Sequence, residues 1–161
     1  QAKENFEEYG VSDKIRLHKY ALSDKKGVQL FYTSKGQAPG VTDRETGNKS
    51  SSLLPPKDHI REHPWCGFDK EIVEVRTLDS FDIRPKFIHI DVQGAELMVF
   101  KGGKKTVLST KVIWVEVANI ELYKGQPLKQ DIQRYLTSMG FIAIKDTCGR
   151  KKYGDMLWVK K

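Results

Sequence analysis

Two carboxylates stand at the ends of two apolar, β-branched runs, and their chemistry is the first thing the chain offers. Asp91 closes Phe87-Ile88-His89-Ile90, and Glu116 lies near the end of Val112–Val117. If both runs are parallel strands, the two acids end neighbouring strands at the edge where open α/β sheets bind ligands. Gln93 and Gly94 occupy the turn between the first strand and a helical pattern, so an amide and a permissive backbone flank Asp91. Such a set suits proton transfer from a hydroxyl, which needs a carboxylate or histidine within hydrogen-bond reach. Asp91 has a second, compatible reading as the N-cap of the following helix. Glu116, if buried, must be paired or protonated. By alternation His89 shares a face with Phe87 and Asp91, where it is either a proton relay or a satisfied core histidine. Glu96, in the first helical turn, is favoured there by the helix dipole whatever else it does.

The elements that must position these groups are legible from periodicity. Leu97 and Phe100, three apart, begin a helix that Gly102-Gly103 stops, and Gly125-Gln126-Pro127 opens another that buries Leu128, Ile132, Tyr135 and Leu136 before Gly140. Ile15–Ala21, Val28–Thr33, Glu71–Arg76, Phe141–Lys145 and Met156–Val159 read as strands, the last two as a terminal hairpin. The second of these, Val28–Thr33, is expected to pair through a turn with Ile15–Ala21. Gln1–Glu8 reads as an amphipathic helix with Phe6 and Tyr9 on one side. Asp79 is expected to cap the short helix that carries Phe81. Residues 34–69 are loop-rich, and their serines, including Ser51 and Ser52, read as solvated loop or as part of a site. His59, His63, Trp65 and Cys66 match no standard zinc spacing.

Composition bounds the rest. The 161 residues form one domain, large enough for its own core. The net charge of +7 is spread along the chain without a nucleic-acid-binding motif, so a solvated lysine-rich surface is expected rather than a nucleic-acid partner. No apolar run is long enough to span a bilayer and no leader pattern is present, which points to a cytoplasmic protein. Cys66 and Cys148 lie far apart; a reduced protein is the plain expectation, and a single disulfide stays open.

Thr77-Leu78-Asp79-Ser80-Phe81, then Phe87–Gly103 (FIHIDVQGAELMVFKGG) and Val112–Val117 (VIWVEV), together resemble the signature of the FkbM-type S-adenosylmethionine-dependent methyltransferases. The resemblance runs from about Val28 onward. It implies an α/β fold with a Rossmann-like, mostly parallel sheet ending in an antiparallel hairpin. It also implies S-adenosylmethionine as donor, and O-methylation of a hydroxyl on a sugar, glycan or polyketide-like small molecule. By the same resemblance Ser23 and Asp24 would lie beside the adenine, with a turn into Lys25-Lys26-Gly27 as the other reading. Asp91, Gln93 and Gly94 would complete the donor site, while Ser51, Ser52 and Asn119 would approach the acceptor. His89 stands where many relatives carry lysine. The family's glycine-rich donor-binding turn is not found ahead of Ile15, so the chain is expected to correspond to the carboxyl-terminal two-thirds of the family domain. A sheet without its first strands would also leave an open edge, through which two copies could pair.

Overall fold

The computed structural model describes residues 2–36, 40 and 49–161; the start of the expected first helix at Gln1, and residues 37–39 and 41–48 of the loop-rich segment, lie outside the described residues. In chain order the elements are α1 (Ala2–Glu8), β1 (Ala21–Leu22), β2 (Gly27–Lys35), α2 (His59–Glu62) and β3 (Gly67–Arg76), followed by a 3-10 turn (Leu78–Phe81). Then come β4 (Phe87–Ile90), α3 (Glu96–Gly102), α4 (Lys104–Ser109), β5 (Val112–Ala118), α5 (Lys129–Ser138), β6 (Phe141–Asp146) and β7 (Tyr153–Lys160).

The strands form two sheets, with orders β1-β3-β2 and β4-β5-β7-β6. Among the described residues only β1 with β3 and β4 with β5 are parallel; β2 with β3, β5 with β7 and β6 with β7 are antiparallel. The expectation of a mostly parallel sheet is therefore corrected to mixed sheets, while the terminal hairpin is present. The physical reason is connectivity: β5 is followed by helix α5 and then by two strands joined by a short turn, which can only run antiparallel.

Two further expectations change. Of the strand expected over Ile15–Ala21 only Ala21 finds a partner, opposite Val75, joined by Leu22 just beyond it opposite Arg76, while Ile15 and Leu17 stay exposed. β2 does not pair with that stretch; it pairs along its whole length with β3, from Gly27 opposite Val75 to Lys35 opposite Gly67. The nine-residue register draws β3 forward to Gly67 and closes a long loop between the two strands. Alternation sends Phe31 and Val73 to the inner face of this hairpin and leaves Val28 and Ile72 on the outer one, 70% and 67% exposed.

The core lies on one face of the four-stranded sheet. Ile90, Ile113, Val115, Val117, Met156 and Trp158 from the strands meet Val99 and Phe100 of α3, Val107 of α4, and Ile132 and Leu136 of α5. Burying side chains of this size contributes about 1.5–3 kcal/mol each. α5 starts where Asp131, in its first turn, accepts the Leu128 amide at 2.8 Å. Asp79 caps a helix other than its own: its carboxylate accepts the Lys105 and Thr106 amides, 3.0 and 2.8 Å, at the start of α4. α3 and α4 are separated at Gly102-Gly103, and Gly102 is required by contact. A Cβ there would sit 2.1 Å from the Ser23 carbonyl oxygen, so α3 rests its end on the backbone that follows β1. This contact sets the end of α3 against the chain just past the carboxyl end of β1.

Candidate active site

At the end of β4 the chain passes through two consecutive left-handed residues, Gln93 (φ 53°) and Gly94 (φ 95°), before entering α3. Gly94 suits that conformation, and a Cβ on it would come within 3.2 Å of Gln126 and Tyr123. Gln93 holds its less favourable geometry because the turn is bonded on both sides. Ser52 donates its hydroxyl to the Gln93 carbonyl at 2.7 Å, and the Glu96 carboxylate accepts the Val92 and Gly94 amides at 3.2 and 3.0 Å. Glu96 is thus buried in the first turn of α3 as the clasp of this turn.

The Gln93 side chain folds back over the strand ends. Its amide nitrogen donates to Asp91 at 2.6 Å and to Glu116 of β5 at 3.0 Å, and its amide oxygen faces the Tyr123 hydroxyl at 3.1 Å. Carboxylate oxygens of Asp91, Glu96 and Glu116 all lie within 4.8 Å of one another. Because Gln93 points amide hydrogens at two of them, the trio is a hydrogen-bonded acid cluster in which protons hold like charges together. Burial pushes Glu96 up to about 7, and burial together with the neighbouring Asp91 charge pushes Glu116 up to about 8. Glu116 is therefore mostly protonated at neutral pH and Glu96 about half so, while Asp91 stands at the exposed end of the cluster.

Asp91 also borders a cleft of about 550 Å³ between the two sheets, walled by His18, Tyr20, Phe31, Leu53 and Val73. This is within the size range of small-molecule sites, mostly apolar with few polar groups. Ser51 lines it as well, its hydroxyl accepting the Ser34 amide at 2.9 Å.

Other expected site residues lie apart from the cluster. His89 is exposed on the same strand face as Asp91, opposite Trp114, and among the described residues no hydrogen bond joins it to Asp91. Ser23 is buried beyond β1, accepting from Gln29 at 3.0 Å and donating to the exposed Asp24 at 3.2 Å. Asn119 directs its amide to the Gly149 and Lys151 carbonyls, 3.1 and 2.6 Å, and so braces the β6–β7 turn. Cys66 and Cys148 are free and buried, with burial pushing both thiols up.

Glu96 and Tyr123 are the groups that sequence reasoning left outside the site. The first was visible as a first-turn acid but also fitted a dipole role. Tyr123, thirty positions beyond Gln93, carried no local signal.

The family model described as the methyltransferase FkbM domain matches residues 3–143. The 2-O-methyltransferase NoeI of Sinorhizobium fredii is 36% identical over 143 residues, covering 85% of this chain and 57% of that protein. The chain therefore spans little more than half the length of that curated relative. No solved structure matches the chain. No helix among the described residues is long and apolar enough to cross a membrane. The Asp91–Glu96 turn and the β4–β5 pair both fall inside the matched stretch, and the match takes in most of the chain: it belongs to the FkbM methyltransferase family.

Proposed function

We propose that the chain serves S-adenosylmethionine-dependent O-methylation of a hydroxyl on a sugar, glycan or polyketide-like small molecule. The observation that carries this reading is the acid cluster at the carboxyl ends of β4 and β5 with one member, Asp91, on the wall of an apolar cleft. The family and the printed name of the relative, a 2-O-methyltransferase, support the reaction class. The residues present suit the donor on two counts. The cleft has room for a nucleoside against the Tyr20 and Phe31 rings, and a carboxylate at its end favours a cationic sulfur.

The donor, when bound, supplies a methyl group already activated on a sulfonium. The chain's own residues then have two tasks. The cleft walls and Asp91, together with the Ser23-Asp24 segment at the far end of β1, would hold donor and acceptor in line. Such positioning is worth roughly 7–11 kcal/mol in well-oriented systems. Asp91 would take the acceptor's hydroxyl proton, and Gln93 and protonated Glu116 would stabilise that carboxylate in the meantime. Ser51, beside Leu53 on the wall, is placed to meet acceptor hydroxyls.

A second reading, a non-catalytic methyltransferase-like module that assembles through a sheet edge, draws on one observation. Among the described residues β4 pairs only with β5, and Phe87 on it is 54% exposed. Titration calorimetry separates the two. Submillimolar binding of S-adenosylmethionine by the 161-residue polypeptide, weakened at least tenfold in Asp91→Asn, is expected for the enzyme. No heat at millimolar donor, with a concentration-dependent dimer in sedimentation, would establish the second reading instead.

A further inference from the structure

Tyr123 belongs to a segment after β5 that no sequence motif marks. The backbone there is tied to the stretch before α2: the Lys57 amide donates to the Leu122 carbonyl at 2.8 Å, and the Lys124 amide to the Pro55 carbonyl at 2.7 Å. These bonds bury the Tyr123 ring, 1% exposed, against Gly94 and with its centroid 5.3 Å from that of His59. Burial pushes its phenol well above the usual tyrosine range, so the hydroxyl keeps its hydrogen at any ordinary pH.

That hydrogen has two acceptors, the Ser50 carbonyl at 2.8 Å and the Gln93 amide oxygen at 3.1 Å. The Gln93 amide is nearly symmetric in shape but not in charge. With its oxygen toward the hydroxyl, both hydrogens of its nitrogen are presented to Asp91 and Glu116. Turned over, it would set an oxygen against the Asp91 carboxylate, an unfavourable contact between acceptors. Ser52 holds the Gln93 backbone through its carbonyl, but nothing other than Tyr123 holds the oxygen end of the side chain among the described residues.

We propose that Tyr123 is a positioning residue: its buried hydroxyl fixes the orientation of the Gln93 amide, which in turn clamps Asp91 and Glu116 against each other at the cleft. The inference rests on the reading of those two acids as the reacting pair. Its consequence is that the segment around Tyr123 and the Ser50–Leu54 loop set the geometry of the acid cluster from outside the signature. Because Ser50 and Gln93 compete for one hydrogen, a shift of the loop that carries Ser51 and Leu53 along the cleft wall would change how firmly the amide is held.

The charged and titratable groups that bear on the pair are few. Asp91, Glu96 and, from β7, Asp155 face Glu116; Cys66, Glu96 and Glu116 face Tyr123, with the tilted His59 ring beside it. An amide hydrogen donated to a carboxylate favours its charged form. Losing the clamp should therefore raise the titration midpoint of Glu116 above its value of about 8.

The test is carbon-detected NMR titration of the Glu116 carboxyl in the full polypeptide. Tyr123→Phe keeps the ring and should raise the midpoint by about half a unit or more. Gln93→Met should raise it at least as far, and the double variant should add nothing beyond Gln93→Met alone, because the two residues act in series. A Tyr123→Phe midpoint within about 0.2 unit of the unaltered protein while Gln93→Met moves, or additive shifts in the double variant, would overturn the proposal. Should Tyr123→Phe not fold, the Gln93 side-chain amide of the unaltered protein still decides. Amide hydrogens protected from exchange with water are expected, and exchange as fast as that of a free glutamine side chain refutes the clamp. None of these readouts uses the methyl donor, so a failure to bind S-adenosylmethionine would remove the proposed function while leaving this result to stand or fall by itself.

Discussion

Two groups of titratable side chains are taken out of water in this chain, and they meet at Tyr123. On one side are Glu96 and Glu116, raised to about 7 and about 8 by burial; on the other is His59, lowered to about 4 by burial and by its neighbour His63. Desolvation disfavours charge in both, so it drives acid and base toward their neutral forms from opposite directions. What differs is the partners. The acids are held by backbone amides and by Gln93, whereas His59 is held by rings: His63 at 4.6 Å and Phe68 at 5.3 Å. Among the described residues its Nδ1 has no hydrogen-bond partner. The acid cluster opens on a cleft through Asp91, and the histidine pair meets the aromatic side chains of the loop and β3 edge-on. Burial and a perturbed proton affinity therefore do not by themselves mark a site. The direction in which the polar groups converge, and the presence of space in front of them, do.

The strongest way to break the comparison is to remove the side chain common to both groups. Tyr123→Ala should cost about 3–5 kcal/mol, measured by denaturant unfolding, since it empties a buried aromatic position and frees Gln93. A loss below about 1 kcal/mol would mean that the two clusters do not depend on their shared wall.

Next in size is Glu96→Leu, which leaves the Val92 and Gly94 amides without their acceptor and should cost about 1–3 kcal/mol at about pH 5. Its partner Glu96→Gln keeps an acceptor and sharpens the pH argument. Between 4.5 and about 7 the folded chain keeps a proton on Glu96 that the unfolded chain has released, and for Glu116 that window reaches about 8. Stability from these acids is therefore fully present below 4.5 and falls as the pH rises through the window. Unfolding curves at about pH 6.5 and about pH 8 should show the decline, and Glu96→Gln should make it shallower. An unchanged slope in that variant would show that Glu96 does not carry its proton into the folded state.

The smallest effect belongs to the histidine. Between about 4 and 6.5 the unfolded chain holds a proton on His59 that the folded chain lacks, so its contribution to stability rises with pH. His59→Phe removes the orphaned nitrogen and that penalty. It should be within about 1 kcal/mol of neutral near pH 7 and stabilising near pH 5. Equal effects at both pH values would mean that His59 is not kept neutral by its surroundings.

Much of this was legible along the chain because it is local. The Asp91-Val92-Gln93-Gly94 turn, the first-turn acid at Glu96 and the glycine pair that ends α3 are all set within a few residues of one another. The β-branched run of β5 likewise announced a strand, but one expected to be buried on both faces, whereas only its core face is fully buried along most of its length. Other readings needed a partner that no spacing supplies. Ile15–Ala21 alternates like a strand, yet of its residues only Ala21 finds a partner, opposite Val75 near the end of β3. Asn119 follows Glu116 closely in sequence, but its amide goes to the turn before β7.

From its residues alone, the chain determined its strand and helix periods, the acids at the ends of β4 and β5, and its likeness to the FkbM family, since each depends on neighbours or on a contiguous signature. The tertiary structure alone decided that the sheets are mixed and that Gly102 must admit the backbone beyond β1. It also decided that Tyr123 reaches across to Gln93. These are contacts between segments dozens of residues apart. Their register follows from how loops close and which apolar faces meet, and a one-dimensional pattern holds no record of either.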